Sequence, residues 1–198
     1  MKNFRFFLIL SLILLSGCTS SKIHLAYRDV CSIEKPKNIN LAVATFKDAR
    51  QNTQRLGSIK NLYGISIHTF KTDECVIDWA KNAIMTELVN TGYKIKDEAR
   101  YKIDGRILRL STTNYLFWAY CQLQIKLKVF DNNSVIFDKT YHSKQTLEGP
   151  HRRFPGCIER SVYTNEGMCI RALEMNLQNV SEQFVADLAS NLPALQSL

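Results

Sequence analysis

From Cys121 to Val129 the chain alternates without a break. Cys121, Leu123, Ile125, Leu127 and Val129 are apolar, and Gln122, Gln124, Lys126 and Lys128 stand between them. Period two is the signature of a strand with one face in a core and the other wet or covered by polar groups. The strand-like run spans Tyr115 to Phe130 and is flanked by two others, Tyr101 to Ser111 and Val135 to Lys144. Asp131-Asn132-Asn133-Ser134 joins the middle run to Val135–Lys144 as a hairpin turn. This order predicts an antiparallel meander covered on one side.

Two other segments repeat every three to four residues. In the first, Ile77, Ala80, Ile84 and Leu88 form one stripe, widened by Val76 and Ala83. Thr72 or Asp73 can cap its start, Asp73 and Glu74 suit the positive end of its dipole, and Gly92 stops it, so a helix over about 74 to 91 is expected. Trp79 falls between core and rim. In the second segment, from about Glu166 to Ala189, the stripe is Ile170, Leu173, Leu177, Val180, Phe184 and Leu188, and Pro193 marks its end. A sheet with one apolar face needs cover. The expected fold class is therefore α+β, a mostly antiparallel sheet with two main helices packed on one face.

Upstream, Asn40 to Phe46 reads as a short buried strand running into Lys47-Asp48-Ala49-Arg50, and Ile65 to Phe70 reads as a second, half-exposed one. The polar stretch between them, residues 51 to 64, is long for a connection in a compact domain. Residues 50 to 64 are thus a candidate interaction loop. Residues 145 to 166 hold two prolines, two of the glycines and both Arg152 and Arg153, and read as another loop.

The first eighteen residues have a different pattern. Lys2 and Arg5 precede an apolar stretch, Phe6 to Leu15, broken only by Ser11 and followed by Ser16-Gly17-Cys18. About ten apolar residues are too few for a bilayer crossing, which needs roughly twenty. Together with Leu-Ser-Gly-Cys they form a lipoprotein signal peptide over residues 1–17, with Cys18 as the acylated first residue of the mature chain. Two or more acyl chains, palmitate among them, hold a protein on its membrane. Thr19 stands where inner-membrane lipoproteins of enteric bacteria carry aspartate, so the expected address is the outer membrane, facing the periplasm. Residues 18–38 read as a lipidated tether, with Ile23 to Tyr27 as a candidate edge strand, 39–192 as one domain and 193–198 as a tail.

The 198 residues carry a formal charge of +8. Without the leader, which holds Lys2 and Arg5 and no acid, the charge is +6. Export excludes nucleic acid as the partner of this basic balance, and no Arg-rich helix or aromatic-basic motif calls for one. Anionic headgroups or cell-wall polymers are the alternative, beside a merely solvated surface. Five cysteines follow Cys18, at 31, 75, 121, 157 and 169, in what would be an oxidising compartment. Cys157 and Cys169 flank a polar loop and are the first disulfide candidates, with a loop closure contributing about 3 kcal/mol. Cys31 and Cys75 are the second. Cys121, on the apolar side of its strand, reads as a small buried hydrophobe. No Cys-x-x-Cys or His-x3-His spacing points to a metal, and no cofactor is implied.

A strand ending in Asp48-Ala49-Arg50, a helix ending Leu88-Val89-Asn90-Thr91-Gly92-Tyr93, the run Tyr101-Lys102-Ile103-Asp104-Gly105-Arg106-Ile107 and the hairpin at 122 to 144, all behind a lipobox, resemble the YajG-like family of bacterial lipoproteins. The resemblance covers roughly residues 39 to 190. It implies an α+β sandwich akin to the amino-terminal domain of TolB and carries over no catalytic residue. The five additional cysteines and the insertion near 150 to 166 depart from the pattern. Asp48 and Arg50 suit either a polar ligand or a turn in which Asp caps and Arg pairs locally. No Gly-x-Ser-x-Gly, His-Glu-x-x-His or phosphate-binding Gly loop is present, so no enzymatic activity is expected. The reading is a non-catalytic outer-membrane lipoprotein, membrane-bound through its anchor, that acts as an accessory or assembly factor on an envelope protein. Asp48, Arg50, Arg152 and Arg153 are its candidate contacts. The alternative is a module that binds lipid, glycan or small hydrophobic cargo in an envelope transport system, with a cell-wall enzyme third.

Overall fold

In the computed structural model, which describes residues 19–25, 27, 39–115, 118–148 and 165–192, the alternating run forms a long strand at the middle of a three-stranded meander. The elements in chain order are β1 (Thr19–Lys22), β2 (Asn40–Asp48), β3 (Arg55–Lys60), β4 (Ser66–Lys71), α1 (Val76–Asn90), β5 (Lys94–Ile95), β6 (Tyr101–Tyr115), β7 (Trp118–Asp131), β8 (Ser134–Glu148) and α2 (Asn165–Asn191). Ile125, Leu127 and Val129 of β7 are fully buried, as are Ile103 and Ile107 of β6. Each such side chain contributes about 1.5–3 kcal/mol by leaving water. The opposite face, with Lys102, Asp104, Arg106, Gln124, Lys126 and Lys128, stays accessible. Both helices cover the apolar face. α1 lies on β2 and β5, and α2 lies on β7 and β8.

The sheet is mixed rather than mostly antiparallel. β6–β7, β7–β8 and β3–β4 are antiparallel, whereas β1–β4, β2–β5, β2–β6 and β3–β6 are parallel. Alternation reports which face of a strand is buried, not which way its neighbour runs, and the α1 crossover returns the chain parallel to β2. One edge of β6 is shared end to end by two strands: β2 along Tyr101 to Ile107, then β3 along Thr112 to Asn114. At Gly57 of β3 a Cβ would stand 2.1 Å from the Thr112 carbonyl oxygen, so only glycine lets β3 close on β6.

β3 lies inside the stretch expected as a loop, where Leu56, Gly57 and Ser58 are buried. Arg-Leu-Gly-Ser-Ile-Lys lacks the β-branched, alternating signature of a strand, and tertiary pairing with β6 overrides its weak local preference. The tether expected from residue 18 is likewise replaced over its first residues by β1, paired with β4, and Ile23 is 2% exposed. Residues 28–38 lie outside the described residues. α1 starts later than expected because its capping groups are used elsewhere. The Thr72 hydroxyl accepts from the Glu74 N–H at 3.0 Å, and the Glu74 carboxylate accepts from the Leu25 N–H. Cys75 takes the N-cap position without a side-chain bond. Trp79 belongs to the core, at 6% exposure.

The terminal helix docks by aromatic packing and one polar contact. Phe184 lies 6.3 Å from Phe137 and 6.0 Å from Tyr141, ring centre to ring centre. The Tyr141 hydroxyl donates to Asp187 at 2.8 Å, and Lys139 pairs with the same carboxylate at 2.5 Å. Among the described residues no helix is long and apolar enough to cross a membrane.

Candidate functional site

Where the chain joins the sheet decides how an anchor at its start would hold the domain. Thr19 pairs with His68, Ser21 lies 2.8 Å from His68 Nε2, and the Ile23 N–H donates to Lys71 at 2.8 Å. Lys22 pairs with Asp73 at 2.5 Å, and Tyr27 donates to Glu87. Cys18 lies outside the described residues, yet only the Cys18–Thr19 peptide bond separates it from an ordered strand.

Asp48 and Arg50 bridge the gap between β2 and β3. The Arg50 side chain is 4% exposed and the Asp48 side chain 10%. Arg50 Nε donates to Asp48 Oδ1 at 2.8 Å and one terminal nitrogen donates to Oδ2 at 2.6 Å, giving a planar two-point pair. The same guanidinium donates to the carbonyls of Thr53 at 2.8 Å and Arg55 at 3.3 Å. The Asp48 carboxylate also accepts from the Arg50 N–H at 3.2 Å. The pair is therefore spent on its own loop, holding residues 49–54 while the chain passes from one partner segment of β6 to the next. Arg152 and Arg153 lie outside the described residues.

Cys75 and Cys169 are free thiols, and their candidate disulfide partners, Cys31 and Cys157, lie outside the described residues. Cys169 is buried in the core and accepts from the Thr112 hydroxyl at 3.1 Å. Burial pushes its thiol up to about 11. Burial, with the neighbouring Cys169, pushes the Cys121 thiol higher still. Both remain protonated at neutral pH and so are poor nucleophiles. Asp187 is held below its ordinary range by Lys139 and by the Tyr141 hydroxyl, whose own ionisation is pushed up by burial and by that carboxylate. These groups fasten α2 to β8. Among the described residues no group of three His, Cys, Asp or Glu is placed to hold a metal ion.

Two open grooves accompany this frame. One, of about 380 Å³, runs between Leu25, Tyr27 and the first turns of α1, with Glu74, Asp78 and Trp79 in its wall. The other, of about 560 Å³, lies at the β7–β8 turn among Glu98, Arg100, Lys102, Asn132 and Asn133. The free Cys75 thiol also lines the first groove, where the Glu74 carboxylate is engaged by the Leu25 N–H and by His24. Leu62 and Tyr63, inside the stretch that reads as polar, are left exposed beside Ile65, the first residue of the expected half-exposed strand. The signal for this exposed group is the apolar run on both sides of Gly64.

No family model matches the chain, and a comparison with curated proteins gives no match. Solved structures do match in shape. A Xanthomonas campestris protein described as family-model DUF330 superposes with a TM-score of 0.54 at 10% identity, over 88% of this chain and 95% of that one. A hypothetical protein from Chlamydia trachomatis gives 0.52 at 12% identity, over 79% and 98%. A minor lipoprotein from Acinetobacter baumannii gives 0.42 at 10% identity, over 68% and 90%, too partial a likeness to argue from. The first two show that this fold recurs with almost no shared sequence. Bacterial lipoproteins stand among the similar shapes, and the YajG-like resemblance rests on its short motifs alone.

Proposed function

We propose that the protein is an outer-membrane lipoprotein of the YajG-like kind, acylated at Cys18, facing the periplasm and acting without catalysis as an accessory or assembly factor for an envelope protein. The observation that carries this reading is the start of β1 at Thr19: acylation one residue earlier fastens a folded domain directly against the bilayer. The surface left for a partner is the uncovered sheet face, where Arg106 and Lys144 are exposed and Lys126 and Lys128 share Asp138 at 3.0 and 3.1 Å. The intact mass of protein purified from bacterial membranes should equal the chain from Cys18 plus diacylglycerol and one further acyl group. An unprocessed or unmodified mass overturns the anchor. Crosslinking in intact envelopes should then recover one defined protein, lost on Arg106→Glu with Lys144→Glu; an unchanged set of products overturns the partner face.

The alternative, a carrier of hydrophobic cargo, needs a lined apolar cavity. Leu177, Val180 and Phe184 of α2 pack at 0% exposure against the sheet, so the described helix–sheet interface is filled by the protein's own side chains. That packing favours the accessory reading.

A further inference from the structure

The β3–β4 hairpin closes on a turn whose polar atoms are used internally while its apolar side chains face out. Asn61 Oδ1 accepts from the N–H groups of Tyr63 at 3.0 Å and Ile65 at 2.9 Å. The Asn61 N–H donates to the Ile65 carbonyl at 3.0 Å, and Gly64 takes φ 78° to complete the turn. Leu62 and Tyr63 are each 88% exposed and Ile65 is 61% exposed. Burying such side chains is worth about 1.5–3 kcal/mol each, and here the fold forgoes it. A well-bonded turn that presents three large apolar groups together marks a contact surface.

Two independent features converge on the same end of the sheet. The β3 register, Ile59 opposite Asn114, places the turn beside the end of β6, where the Tyr115 and Trp118 rings lie 5.4 Å apart at a tilt of 43° and Trp118 is 46% exposed. β1 runs parallel to β4 from Thr19 opposite His68, so Thr19 lies level with a residue three positions from Ile65, roughly 10 Å at strand rise. Tyr and Trp with aliphatic neighbours are the chemistry of the membrane–water interface, and Lys60 at the base of the turn suits the headgroup layer.

We infer that this end of the sheet is seated in the bilayer, with Leu62, Tyr63, Ile65 and Trp118 inserted at the lipid interface beside the acylated amino terminus. The inference rests on the anchor reading. It turns the domain from a body swinging on a lipid into one fixed in orientation by three points: the acyl group, the β3–β4 tip and the aromatic end of β6. The sheet then stands away from the membrane, and its open face points sideways into the periplasm.

The test uses the membrane-purified full chain, first weighed intact, then reconstituted in vesicles of phosphatidylethanolamine and phosphatidylglycerol containing brominated phosphatidylcholine. One tryptophan at a time is introduced into a Trp118→Phe background, whose own signal from Trp79, 6% exposed, is recorded alone and subtracted as the buried control. Tyr63→Trp should shift its emission to the blue and be quenched by the bromines, and Asn133→Trp at the opposite end of the sheet should do neither. Leu62→Ser with Ile65→Ser should relieve most of the Tyr63→Trp quenching without changing the thermal midpoint. An acylated protein whose Tyr63→Trp signal is unquenched, or quenched no more than Asn133→Trp, overturns the insertion while the anchor stands, and would assign the tip to a protein partner or a second copy. A mass without acyl groups overturns both.

Discussion

The two ends of the sheet are built by opposite rules. At the β7–β8 turn the chain reverses through Asp131, Asn132, Asn133 and Ser134. Asn132 takes a left-handed φ of 54°, and Arg100 forms a two-point pair with Asp131 at 2.6 Å. Val135 and Ile136, 51% and 41% exposed, lie on the edge strand beyond it. At the other end the β3–β4 turn also satisfies its backbone, through Asn61, but shows water Leu62, Tyr63 and Ile65. Both turns meet the same hydrogen-bond requirement. Only the first meets it with side chains that prefer water, so backbone geometry explains the first turn completely and the second only in part. What remains unexplained by folding at the second turn is what points to a contact.

The largest expected effect lies at the joint between the ends. Arg50→Ala should destabilise the domain by about 3 kcal/mol, because it strands the nearly buried Asp48 carboxylate and frees the carbonyls of Thr53 and Arg55. Arg50→Lys should recover little, since an ammonium cannot make the planar pair. Chemical denaturation checks both, and an Arg50→Ala midpoint close to that of the parent would mean that the two halves of the β6 edge do not depend on the clamp.

Next comes Gly57→Val, where the added carbons meet the Thr112 backbone and methyl group. We expect a loss of about 2–3 kcal/mol and faster proteolysis within residues 61–65, with the β7–β8 turn left intact. Equal cleavage at both ends would show that the domain loosens as one unit.

A smaller effect is expected where α2 fastens to β8. Asp187→Asn should cost about 1 kcal/mol. Because the folded carboxyl is held below its ordinary value of 3.8, its contribution is fully present above that pH and is lost as the pH falls through the lower folded value. The mutant's acid unfolding should therefore converge with the parent's at low pH; a constant gap down the titration would remove the carboxylate from the account.

Smallest of all, Leu62→Ser, Tyr63→Ser and Ile65→Ser together should move stability by no more than about 0.5 kcal/mol in solution, since these side chains touch little in the fold. A large loss would make the tip structural and erase the contrast between the ends.

Much of the frame was legible before any coordinates. The alternation at Cys121 to Val129, the turn at Asp131 to Ser134 and the stripe from Ile170 to Leu188 all stand where periodicity put them, because each depends on neighbours a few residues away. Asp48 and Arg50 were legible as a pair, and only the structure shows the guanidinium closed on its own loop. β3 was not legible, since Arg55 to Lys60 has weak strand character and owes its state to β6, over fifty residues later in the chain. β1 escaped for the same reason, being an edge strand made by β4.

The sequence alone determined the binary pattern, and so which residues enter the core, how many helices cover the sheet and where the chain turns. Those follow from local periods of two and of three to four. Tertiary structure alone decided the mixed direction of the strands, the sharing of one edge of β6 by β2 and β3, and the meeting of the amino terminus, the Leu62–Ile65 turn and Trp118 at one end. Such juxtapositions are set by pairing between segments far apart in the chain, which leaves no local period behind.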